Sequence, residues 1–140
     1  MASVKGVNIT NLDAVPAVAA PVDQTGGRLR VWYDTYEASS LAAGSDITIA
    51  RVPEGANIFD VVIHHDALGT SVTLKVGDSS DDNRYITATA AATAGNISMS
   101  DDGAITGFGF ENTSETNIVI TTAGAAATGT IMCAIFYTVD

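Results

Sequence analysis

Residues 77–83, Gly-Asp-Ser-Ser-Asp-Asp-Asn, carry the densest negative charge of the chain, and His64-His65-Asp66 lies just upstream. Clustered carboxylates of this kind serve calcium loops and metal-dependent hydrolases. An EF-hand needs oxygen donors at its first, third and fifth positions, glycine at the sixth and glutamate at the twelfth. Counted from Asp78, the third to twelfth of these fall on Ser80, Asp82, Asn83 and Thr89, so the glycine and the glutamate are missing. Adjacent histidines on a strand point to opposite faces, so His64 and His65 do not share a metal. A serine nucleophile lacks its Gly-x-Ser-x-Gly elbow. Gly107-Phe108-Gly109-Phe110 lacks the lysine and the following helix of a phosphate loop. The acidic segment is therefore expected to be a solvated hairpin tip, with Arg84 paired to Asp81 or Asp82 at the surface. No catalytic residue, cofactor or metal is assigned, and the chain is not read as an enzyme.

Other side chains invite comment for their chemistry. Trp32, Tyr33 and Tyr36 could stack on a sugar ring, but aromatic anchoring in a core or a protein interface is the favoured reading. Cys133 is the single cysteine, so an intrachain disulfide is impossible. It sits inside the apolar run 131–137 and is expected to be a buried thiol.

Composition narrows the partners. Only 16% of residues are charged and 6% aromatic, while Ala, Ser, Thr, Asn and Gly abound, which predicts a neutral surface suited to wide contacts. Six cations against sixteen acids give a net charge of −10. Nucleic acid and anionic membranes both need a basic patch and are disfavoured. The sequence holds no run of ~20 apolar residues, and Asn8, Thr10, Asn11 and Asp13 interrupt any signal-like N-terminal stretch. Synthesis in a cytosol is the expectation.

The elements that must position these groups are almost all strands. Residues 28–37 alternate, with Leu29, Val31, Tyr33 and Thr35 on one face and Arg28, Arg30, Trp32, Asp34 and Tyr36 on the other. Strands are likewise predicted over 46–52, 57–66, 72–76, 84–87, 96–100, 107–111, 117–122 and 129–139. A turn is predicted at Asp101-Asp102-Gly103, and short helical turns are allowed at 37–43 or 90–94, where alanine accumulates. Turn signals every eight to twelve residues predict an all-β antiparallel β-sandwich over 28–140. Residues 1–27 lack periodicity, and Pro16 and Pro21 favour an extended path. Val7, Ile9, Leu12, Val15 and Val18 are too many apolar residues for a solvated tail. Two readings stand side by side: a loose terminus, or an arm that becomes ordered on a neighbouring subunit.

The order Val52-Pro-Glu-Gly-Ala-Asn-Ile, Thr73-Leu-Lys-Val-Gly-Asp, Asp81-Asp-Asn-Arg-Tyr-Ile-Thr, closed by Asn117-Ile-Val-Ile-Thr-Thr and Gly129-Thr-Ile through Tyr137, resembles the small all-β cement or decoration proteins of tailed bacteriophages. The resemblance spans residue 28 to the C-terminus. It implies a jelly-roll-like sandwich, a homo-dimer or homo-trimer, and the virion's outer capsid surface as its location. Its partner would be the major capsid protein, whose neighbouring subunits it would clamp. The arm residues above would make the contact, with Trp32 and Tyr36 next. A carbohydrate- or receptor-binding domain of a phage head fibre or tail is the alternative.

Overall fold

The computed structural model describes residues 1–102 and 106–139. Among the described residues, nine strands form two antiparallel sheets. In the first, β1 (Leu29–Leu41), β9 (Ala127–Thr138), β3 (Asn57–His65) and β6 (Gly95–Ser98) lie in that spatial order, and β7 (Phe110–Glu111) also pairs with β3. The second has the order β2 (Asp46–Val52), β8 (Thr116–Ala123), β4 (Thr73–Gly77), β5 (Ile86–Ala90). The two sheets face each other as a sandwich.

Period-two alternation builds the core. In β9, Ile131, Cys133, Ile135 and Tyr137 are buried while Met132, Ala134 and Phe136 turn outward. Ile58, Val61 and Ile63 of β3 join them, against Ile47, Ile49 and Val52 of β2, Ile118 and Ile120 of β8, and Leu74 and Val76 of β4. Burying each of these side chains contributes about 1.5–3 kcal/mol. The final strand, apolar on both faces, takes a central place between β1 and β3.

Cys133 is buried, as expected. Desolvation, with a smaller contribution from Asp34, pushes its thiol up to about 12. At pH 8 roughly one thiol in ten thousand is then ionised, and the thiolate is the nucleophile. A maleimide or disulfide reagent is expected to leave the native protein unlabelled and to titrate one thiol after denaturant is added. Rapid stoichiometric labelling of the native protein would overturn this packing.

The structure corrects several expectations. Residues 37–41 and residue 90 belong to strands rather than helical turns. The short helices lie elsewhere, α1 at Val7–Leu12 and α2 at Met99–Asp102, so Asp101 and Asp102 are helical and not a turn; Gly103 lies outside the described residues. Only Phe110 and Glu111 of 107–111 are strand. Phe108 sits in the preceding turn, edge-on to Phe59 with ring centroids 5.9 Å apart, whereas Phe110 lies under Arg84. The largest correction concerns Arg84. It pairs with neither Asp81 nor Asp82 but with Asp78, Nε to Oδ2 at 2.7 Å, and this ion pair is largely buried.

Candidate interaction surface

The acidic tip uses its carboxylates internally. Asp78 accepts hydrogen bonds from the backbone N–H groups of Ser80 (2.9 Å) and Asp81 (3.0 Å) as well as from Arg84. Asp82 pairs with Lys75 at 2.5 Å. Tyr85 is buried behind Asp78, and burial first, then the Asp78 charge, pushes its phenol far above its ordinary range. The tip is thus a closed structural unit with one buried carboxylate, which differs from the fully solvated hairpin expected. His64 and His65 diverge as strand geometry requires. His64 is exposed, while His65 is buried with Nδ1 2.8 Å from the carbonyl of Asp66.

The arm residues come to the surface. Val7, Ile9, Leu12, Val15 and Val18 are all at least 46% exposed. Helix α1 spans six residues, buries none of them and lacks a side-chain N-cap. An isolated helix of that length is unstable in water, because nucleation outweighs the few hydrogen bonds gained. The arm touches the sandwich through Asp23: its carbonyl accepts a hydrogen bond from Thr138 Oγ1 at 2.8 Å, and its carboxylate accepts one from Asn57 Nδ2. Lys5 and Asp13, 2.6 Å apart and exposed, bracket α1.

The second exposed surface is β1. Cross-strand partners share a face, and Trp32 and Tyr36 lie opposite the buried Ile135 and Ile131, so their row points inward. The apolar row Leu29, Val31 and Tyr33 lies opposite Thr138, Phe136 and Ala134 and points to solvent. Every residue from 29 to 37 is exposed, because β1 is the sheet edge and the second sheet does not extend beneath it fully. Beside this row runs a groove of 220 Å³ lined by Tyr33, Val62, His64, Met132, Ala134 and Phe136. Alternation separates the two faces of β1 and the aromatic types mark Tyr33, but nothing in the sequence marks Leu29 and Val31 as contact residues. Their signal was the apolar row itself, which alternation cannot point outward or inward. Among the described residues, Lys5, Arg51, Lys75 and Arg84 have acidic partners, whereas Arg28 and Arg30, on the same strand margin, form no ion pair.

No protein-family model matches the chain, and no curated protein matches it. Solved structures do. A chain of the cyanophage Pam1 capsid asymmetric unit superposes with a TM-score of 0.69 at 26% identity, covering 91% of this chain and 97% of that one. A chain of the Ralstonia phage GP4 capsid follows at 0.67 and 20% identity, over 88% of this chain and 92% of that one. The acidic stable capsid of Helicobacter pylori bacteriophage KHP30 supplies a third, at 0.59 and 14%, over 79% and 87%. Three phage capsids contain a chain of this fold. At their identities the last two show the fold alone, whereas the first also matches nearly end to end at a similar size.

Proposed function

We propose that this chain is a structural component of a bacteriophage capsid, bound to the outer surface and cementing neighbouring major capsid subunits. The observation that carries the reading is the end-to-end match to a chain of the Pam1 capsid. The surface supports it: a sparsely charged exterior of net acidic balance, an apolar arm exposed along its length, and an acidic loop whose buried carboxylate, Asp78, is already committed to internal partners. Such a protein works through multivalency, since many modest contacts repeated over a lattice sum to firm attachment. Residues 1–27 act as the reaching arm and the sandwich as the body. Val7, Ile9, Leu12, Val15 and Val18 make the contact on the capsid subunit, and Trp32 and Tyr36 contribute at the sandwich margin.

The arm is tested in the full chain by changing Val7, Ile9 and Leu12 together to serine. None of the three is buried, so the melting temperature is expected to stay within a few degrees. Losing the burial of three apolar side chains on a partner weakens attachment to undecorated capsids by at least about 100-fold. Deletion of residues 1–27 should abolish it. Full occupancy on capsids by either variant, read by quantitative gel or cryo-electron microscopy, would sink the arm's role.

A further inference from the structure

The free edge of β1 is open along its length, and its backbone groups can be placed by alternation. Thr130 of β9 receives a hydrogen bond on its carbonyl from Asp66 N–H (3.0 Å), and its own N–H donates to Asp66 Oδ2 (2.9 Å). Its main-chain groups therefore point away from β1. Glu37, opposite Thr130, belongs to a non-hydrogen-bonded pair. By alternation the N–H and C=O groups of Leu29, Val31, Tyr33, Thr35 and Glu37 face outward from the sheet. Thr35 agrees, since its N–H is taken not by β9 but by the carboxylate of Asp34 at 2.8 Å. The strand is straight from 29 to 38 and bulges only between Ala38 and Leu41. An edge this long and apolar, with neither proline nor glycine, is a template for another strand.

We infer that β1 pairs antiparallel with β1 of a second copy of this chain, about a twofold axis passing through Trp32. A twofold normal to the sheet keeps each face continuous, so facing residue numbers must sum to an even number. With the axis at Trp32, Arg30 faces Asp34 of the second copy and Asp34 faces its Arg30. Trp32 meets Trp32, Arg28 meets Tyr36, and on the outer face Val31 meets Tyr33 twice. Asp34 leaves the N–H of Thr35, which then donates to the carbonyl of Leu29 across the axis. Neighbouring registers are poorer. An axis at Asp34 opposes two like charges, and one at Tyr33 sets Arg30 against Tyr36 with no ion pair. An axis at Val31 shortens the overlap to residues 28–34 and relies on Arg28, which lies outside the strand. The Trp32 register gives a cation without an ion pair its acid twice over, in a protein whose net charge of −10 otherwise drives copies apart. This inference stands independently of the capsid reading, since it requires only the edge and its charges.

The test is sedimentation or light scattering on the full chain over a wide concentration range, with circular dichroism confirming the fold of each variant. The wild type is expected at twice the monomer mass. Arg30→Asp and Asp34→Arg are each expected to weaken the dimer more than 10-fold, because each sets like charges face to face. The double exchange is expected to restore it. Trp32→Cys should form a disulfide-linked dimer on mild oxidation, since facing Cα atoms lie within bridging distance at that position alone. A monomer at every concentration would overturn the inference. So would a folded double exchange that stays as weak as the single variants, or efficient cross-linking of Val31→Cys or Tyr33→Cys in preference to Trp32→Cys.

Discussion

Gly124→Ala is expected to destabilise the protein by about 3 kcal/mol or more and to lower its melting temperature by roughly 10 °C. Two independent penalties meet at this turn between β8 and β9. The backbone has φ +89°, where a Cβ is strained, and an added Cβ would lie 1.8 Å from the carbonyl oxygen of Ser71 and 2.9 Å from its carbonyl carbon. The obstacle is main chain and cannot rotate aside. Gly44 separates the two effects, because it has φ +84° with open space where the Cβ would go. Gly44→Ala is expected to show only the conformational penalty, about 1 kcal/mol. Denaturant melts of the two variants measure the difference. Equal stability losses would mean that the segment around Ser71 yields, and that the close approach costs nothing.

Asp78→Ala is expected to cost about 3–5 kcal/mol, the range found when one member of a buried ion pair is removed. The Asp78 side chain is 4% exposed and that of Arg84 15%, so truncation strands a cation in a largely dry site. It also uncaps the N–H groups of Ser80 and Asp81. The guanidinium lies 3.9 Å from the ring centre of Phe110, so Arg84 covers that ring as well as neutralising the acid. Combining Asp78→Ala with Arg84→Met removes the stranded charge and keeps a flexible apolar cover. The double variant should therefore be more stable than Asp78→Ala alone. Urea unfolding gives both values; a double variant at least as unstable as the single one would place the loss in the backbone caps.

Much of the fold was legible in the residues, for a simple reason. Period-two alternation registers which residues share a face, so the sequence-based strand over 46–52 coincides with β2, and those over 57–66 and 117–122 fall within one residue of β3 and β8. What alternation does not encode is direction. In β1 the apolar row Leu29, Val31 and Tyr33 faces solvent while Arg30, Trp32, Asp34 and Tyr36 face inward, because pairing with β9 sets Trp32 and Tyr36 beside the buried Ile135 and Ile131. The partner choice of Arg84 was equally hidden. Asp78, Asp81 and Asp82 all lie within six residues of it, and only the path of the loop decides among them. That path folds back over Gly77, where a Cβ would lie 2.1 Å from the carbonyl oxygen of Asp81. The fold-back turns the Asp78 carboxylate inward beneath Arg84.

The candidate contact surface divides along the same line. Val7, Ile9, Leu12, Val15 and Val18 are marked by their apolar types, and all five are exposed in the folded chain. Helix α1 leaves no periodic signal in the sequence, because six residues give fewer than two turns, too short for a 3.6-residue period to register.

The sequence by itself determined the all-β class, the strand spacing, the buried thiol and the poverty of basic charge, since each follows from local pattern or from composition. Only the tertiary structure decided that β1 is an edge with its apolar row outward and that Asp78 is the acid that holds Arg84. Both depend on which segments end up side by side, and that is fixed by the packing of the two sheets rather than by any single stretch of chain.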